Sequence, residues 1–313
     1  MSTISRRTAL ISAAGVASGL ALSLAGCTER QSGPALVLAA GEPGGVYLSF
    51  GRLLSAAFAR EGQRALRLRE THGSEENTTL LATNEADLAL ALADSAEVPG
   101  HELVALGRVY QNYLQCVVRA DSAITRLDDL RGARVSIGAR GSGCAITTRR
   151  LLETRGIGQN VAGTELREFP ISDAIDELAA GRISALFWSG GLPTPLLTEL
   201  DARIPLTLLD LAHALPDLAA RYPERYLATR VPAGVYRGSL PTPTIGIPNY
   251  LLAQPSLPDA AAASLVGVLI DHAPELVPSG TVGVQFLTPA SLIDTGEMRL
   301  HPAAAAEYRR RYG

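Results

Sequence analysis

Residues 35–58, ALVLAAGEPGGVYLSFGRLLSAAF, decide the fold. The apolar run Ala35–Ala40 reads as a buried strand, and Gly41-Glu42-Pro43-Gly44-Gly45 punctuates it. A helix follows, because Phe50, Leu53, Leu54, Ala57 and Phe58 fall at the i, i+3, i+4, i+7, i+8 spacing of one apolar face. Working outward, Leu66 and Leu68 alternate with Arg67 and Arg69, so the next strand has one wetter face. His72-Gly73-Ser74 leads into a second helix, with Ser74 expected as its N-cap and Glu75 and Glu76 at the positive end of its dipole. Ala86–Leu92, ADLALAL, reads as a third strand. Strands alternating with helices predict an α/β fold with a parallel sheet and right-handed crossovers.

The pattern then restarts. Leu114–Arg119 reads as a strand, Leu127–Gly132 as a short helical turn, and Arg134–Gly138 as a strand. Gly141-Ser142-Gly143 forms a tight loop opening a helix from Cys144 to about residue 155. Ser172 is expected to cap a helix through Ala180, Ala185–Trp188 reads as a strand, and Ser189-Gly190-Gly191 as a loop before a helix near Pro195. Thr244–Ala253 reads as a long strand leading to a helix from Leu257 to His272, both assigned back to the first unit. The 313 residues, 47% hydrophobic and 19% charged, are enough for two lobes. Net charge is −3 and the 28 basic residues, all arginine, are spread along the chain, so no basic run is present to neutralise a nucleic-acid backbone.

Arg6-Arg7, the small and apolar run Ala9–Ala25, and Leu24-Ala25-Gly26-Cys27 fit a bacterial lipoprotein export signal. On that reading residues 1–26 are removed, the Cys27 thiol is lipidated, 27–34 are a tether, and the protein is extracytoplasmic and membrane-anchored. Ser5-Arg6-Arg7 also resembles a twin-arginine signal, with Ala9 and Ile11 in place of the usual phenylalanine and lysine. Beyond Cys27 remain Cys116 and Cys144, expected as two separate buried thiols.

The two glycine turns, Gly44-Gly45 and Gly141-Ser142-Gly143, each sit between a strand and a helix start, where backbone N–H groups lack intrahelical partners and attract anions. In open α/β sheets these turns lie at the edge where ligands bind. Catalytic and nucleotide motifs are absent from them. Arg140 stands where a hydrolase elbow needs glycine, no Gly-Lys-Ser/Thr follows, and Ile146 stands where a dinucleotide fingerprint needs glycine or alanine. His72 with Glu75 and Glu76 lacks a second histidine at helical spacing, so neither metal nor cofactor is expected. Cys144 at a helix start has the placement of an activated thiol but no evident histidine partner.

Several stretches together resemble the TAXI family, the solute receptors of tripartite ATP-independent periplasmic (TRAP) transporters. They are Gly44-Gly45-Val46-Tyr47, Thr71–Asn77, Glu85–Leu90, Leu127–Leu151, Ile183–Pro193 with Thr194-Pro195, and Leu300–Ala304. The resemblance implies a type II periplasmic-binding-protein fold, two α/β lobes joined by crossover strands with a ligand cleft between them. On that template one lobe comprises 35–113 plus 245–313 and the other 114–244. It also implies a small carboxylate or amino-acid guest, glutamate-like, and TRAP membrane subunits as partners. Carried over by position, the contacts are Gly45, Val46 and Tyr47; Ser74, Glu75 and Asn77; Ser142, Gly143 and Cys144; and Trp188, Ser189, Gly190 and Gly191. Cys144 replaces the threonine usual in the family. Arg140 beside the glycine loop is a candidate partner for a carboxylate, and Arg108 and Tyr110 near the crossover are further candidates. The rival expectations are a ligand-sensing lipoprotein that uses the same fold and an exported enzyme acting through Cys144 or the Gly141–Gly143 loop.

Overall fold

The computed structural model describes residues 34–313. The expected export signal, Cys27 and most of the tether lie outside the described residues. The first lobe opens with β1 (Leu36–Ala39), α1 (Val46–Arg60), β2 (Leu66–Arg69), α2 (Ser74–Ala82) and β3 (Leu88–Leu92). A long strand, β4 (Val104–Arg119), carries the chain into the second lobe. There follow β5 (Arg134–Ser136), α3 (Gly143–Thr154), β6 (Glu165–Arg167), α4 (Ile171–Ala179), β7 (Ala185–Gly190), α5 (Pro195–Arg203) and β8 (Leu206–Leu208). After α6 (Leu215–Arg221) and β9 (Leu227–Val231), β10 (Thr242–Ala253) returns the chain to the first lobe. There α7 (Asp259–Asp271), α8 (Pro289–Leu292) and α9 (Pro302–Tyr312) end the fold.

The strands run in the order β2-β1-β3-β10-β4-β7-β5-β6, with β8 beside β4 and β9 beside β10. Pairing is parallel within each α/β unit and antiparallel wherever β4 or β10 takes part. This is the expected two-lobed α/β arrangement. The two long strands cross between lobes side by side. On the first-lobe side β10 pairs with β3 from Asn249 to Ala253, and on the second-lobe side with β9 from Thr242 to Gly246. β4 meets β7 only from Tyr113 onward. Between these limits Gln111 faces Pro248 and Asn112 faces Ile247, each strand bound mainly to the other.

The core explains the register. Every residue of β3 is buried, as a strand covered on both faces requires. On one side Phe50, Leu54 and Phe58 of α1 pack with Leu265 and Leu269 of α7 against Leu38, Leu88 and Leu90. The matching layer in the second lobe joins Ile175 and Leu178 of α4 with Leu197 and Leu200 of α5 over Leu186 and Trp188. Each fully buried leucine or phenylalanine in these layers contributes about 1.5–3 kcal/mol.

Three local expectations are corrected. Gly73, at φ 126°, occupies the N-cap of α2, and Ser74 is already helical, its hydroxyl engaged elsewhere. Pro170 precedes α4, whose Ser172 bonds the Asp173 carboxylate instead of capping. Ser189 and Gly190 belong to β7, because they pair with Leu114 and Tyr113 of the crossover strand.

Candidate functional site

The corners following β1, β2 and β3 meet the corners of the second lobe directly. Gly141 presents its carbonyl to the N–H groups of Glu75 and Glu76, both at 3.1 Å. Gly143, first residue of α3, lies so close to Ser74 and Leu92 that an added Cβ would come within 2.6 Å of Ser74 Oγ and of Leu92 Cδ1. Only glycine permits this approach. The Glu42 carboxylate accepts from the Ile171 N–H at the start of α4, 3.3 Å away.

A cavity of about 40 Å³ remains between these corners. Of the residues expected from sequence, Gly45, Val46, Tyr47, Ser74, Ser142, Gly143, Cys144, Trp188 and Ser189 all line it. Such a volume holds a few waters, so the lobes stand closed here. An adjoining cavity of about 160 Å³ shares Gly45, Val46 and Trp188 with it and is lined further by Gly191 and by 278–281. A wider groove of about 640 Å³ lies to one side, where Arg225 pairs with Glu97 and Glu297 and Arg299 with Glu102.

Helix starts supply the polar lining. Among the described residues the N–H groups of Val46 and Tyr47 at the start of α1, and of Gly143 and Cys144 at the start of α3, find no acceptor in the protein. Ser142 caps α3, its hydroxyl accepting from Ala145 N–H at 3.1 Å. The amides of α2 are different: Gly141 already satisfies two of them. Tyr47 and Ser74 lock the wall together, with 3.0 Å between their hydroxyl oxygens, and Ser74 Oγ also accepts from Leu92 N–H at 3.1 Å. Burial pushes the Tyr47 phenol above its usual range, so it stays protonated. Trp188 turns the edge of its indole toward Gly45. Gly190 leaves room for that ring, since a side chain there would meet the indole nitrogen.

Seven expected contacts lie away from this cavity. Glu75 is exposed. Asn77 is fully buried and structural, its amide donating to the carbonyls of Leu90, at 2.8 Å, and Ala40. Arg140 is 91% exposed and pairs with Glu168. Gly190 sits inside β7, and Gly191 faces the adjoining cavity. Arg108 pairs with Asp294 and stacks on Phe286, while Tyr110 is buried against Tyr47 and Phe50.

Sequence reasoning missed Gly41, Glu42, His72, Gly73, Leu92 and Asn112 as lining residues. Glu42 matters most. It is half-buried, and burial raises its carboxyl to about 7, against the lowering effects of the Ile171 N–H and of His72; Asp173 adds to the rise. Cys144 carries no activated thiol: burial raises it to about 12, outweighing the hydrogen bonds from Thr148 and the Ser189 N–H. Cys116 and Cys144 are separate buried thiols.

One more carboxylate bridges the lobes. Asp94, just after β3, has a side chain with no exposure. Its Oδ2 accepts from Thr147 Oγ1 at 2.5 Å and from Tyr226 Oη at 2.8 Å, with Arg150 Nη1 at 3.9 Å, while Ser95 donates to Oδ1 at 2.9 Å.

The family model described as the NMT1-like family matches residues 38–310. Among solved structures, the periplasmic aliphatic sulphonate binding protein SsuA from Escherichia coli is 17% identical, with TM-score 0.50, covering 89% of this chain and 84% of its own. The periplasmic binding protein BugD is 14% identical with TM-score 0.52, covering 89% and 93%. XAC2383 from Xanthomonas citri, bound to ATP, is 15% identical with TM-score 0.52, covering 89% and 98%. The chain therefore has the fold of these three proteins.

Proposed function

Since the chain belongs to the NMT1-like family, we propose that it is an extracytoplasmic solute-binding protein whose lobes close on a small molecule and present it to a membrane transporter. One observation carries this reading: unpaired amides from two helix starts, one in each lobe, converge on a single cavity. Closure follows from differential contact, because a guest held by Val46 and Tyr47 on one side and by Gly143 and Cys144 on the other makes its full set of bonds only when the lobes meet.

The lobes, 35–113 plus 245–313 and 114–244, rotate about the two-strand ribbon at Gln111-Asn112 and Ile247-Pro248. The guest is a small carboxylate or amino acid. The resemblance to TAXI receptors adds TRAP membrane subunits as the recipient, and the Leu24–Cys27 motif adds a lipid anchor at Cys27. The raised Cys144 thiol argues against covalent chemistry in the cleft.

Isothermal calorimetry of the full chain with a broad panel of amino acids and dicarboxylates tests the reading. Saturable binding of at least one member is the expected result; failure of every member to bind overturns it.

A further inference from the structure

The charge lining the cleft is lopsided. Of the residues around the cavity only Glu42 and His72 have an acidic or basic side chain, and no arginine is among them. The candidate cation, Arg140, points to solvent and is held by Glu168. Anion-binding capacity therefore rests on the backbone amides at the starts of α1 and α3, enough for one carboxylate. Glu42 adds a fixed acid on the opposite account. Its Oε2 takes the Ile171 N–H, and its Oε1 has no donor among the described residues.

A dicarboxylate entering this space brings a second negative charge against Glu42 with no arginine in the lining to offset it. An ammonium group does the reverse: it supplies donors to Oε1 and neutralises a charge the closed cleft has partly desolvated. The ring edges of Trp188 and Tyr47 complete an enclosure suited to a small zwitterion.

We propose that Glu42 is the specificity-determining residue of the cleft and that it selects a guest carrying a protonated amine beside its carboxylate, an α-amino acid in preference to its deaminated counterpart. The proposal rests on the solute-binding reading above and narrows it. The titratable groups facing Glu42 are His72 from the corner after β2, Asp173 from α4 and Cys144 from α3. His72 is exposed at the rim of the cavity lining and Asp173 lies outside it, and neither brings a guanidinium or ammonium group against Oε1.

The test is calorimetry on the full chain with matched pairs, the common amino acids against the acids lacking the amine (L-alanine and propionate, L-glutamate and glutarate), at pH 8 and pH 5.5, for wild type and Glu42→Gln. The expected result is an amino acid bound at least tenfold more tightly than its deaminated partner. Wild-type affinity should weaken as pH falls through the range where Glu42 takes up its proton. Glu42→Gln should lose at least tenfold for the amino acid, bind glutarate more tightly than wild type does at pH 8, and show no such pH dependence. Thermal melting confirms that the variant folds. If deaminated acids bind as tightly as amino acids and Glu42→Gln leaves amino-acid affinity unchanged, the inference is overturned while the solute-binding reading stands. If neither series binds, both fail.

Discussion

Asp94 and Glu42 both sit on first-lobe corners and both reach across to the second lobe, yet they are built in opposite ways. Asp94 is wholly buried and fully served, with hydroxyl donors from Thr147, Tyr226 and Ser95 and the Arg150 guanidinium nearby. Glu42 is half-buried, has one long hydrogen bond, and is left with a raised pKa. A buried carboxylate with donors on both oxygens fastens two surfaces. One left short of donors waits for a partner from outside.

Removing Asp94 should therefore cost most. Asp94→Ala strands the Tyr226 and Thr147 hydroxyls and the Arg150 charge, and about 3–5 kcal/mol of stability should disappear in urea unfolding at pH 7. A loss under 1 kcal/mol would erase the contrast between the two acids.

Glu42→Gln should move stability the other way. The native carboxyl is raised from 4.5 to about 7, so its favourable contribution is fully present below pH 4.5 and is lost as pH rises through 7. At pH 8 the neutral glutamine avoids burying a charge, and the variant should be more stable than wild type by about 2 kcal/mol, the solvent still reaching the site having reduced the full linkage value. The advantage should vanish near pH 4. Melting curves across pH 4–8 measure both ends.

Gly143→Ala sharpens the geometric side of the comparison. Its methyl group would push against Ser74 and Leu92 and hold the lobes apart, so guest affinity should fall about tenfold, roughly 1.4 kcal/mol, with little change in unfolding free energy. Tyr47→Phe should have the smallest effect, about 1 kcal/mol of stability from the lost bond to Ser74, read from the same urea curves.

Much of this was legible in the residues. The apolar face of Phe50, Leu54 and Phe58 marks α1, the run 86–92 marks β3, and the glycine pairs mark corners that do meet across the cleft. What escaped depends on long-range pairing. β4 begins at Val104, ten residues before the expected strand, because Arg108, Gln111 and Asn112 look like loop residues until their partners are known. Asn112 is satisfied by Ser189 and by Asn249, and Gln111 by Thr229. Glu42, beside Pro43 and Gly44, has the sequence setting of an exposed turn. Only the second lobe buries it, and no local pattern encodes that. Ser74 was misplaced by one position because Gly73, with its positive φ, takes the cap.

Trp188 is the only tryptophan in the chain and it lines the cavity, so its fluorescence reports the site alone. Titrating the full chain with amino acids while recording that emission tests whether the guest enters between the glycine corners. A saturable change whose midpoint matches the calorimetric dissociation constant, and which weakens in Gly143→Ala, is the predicted result. Calorimetric binding that leaves the Trp188 emission unchanged would place the guest elsewhere and contradict the account.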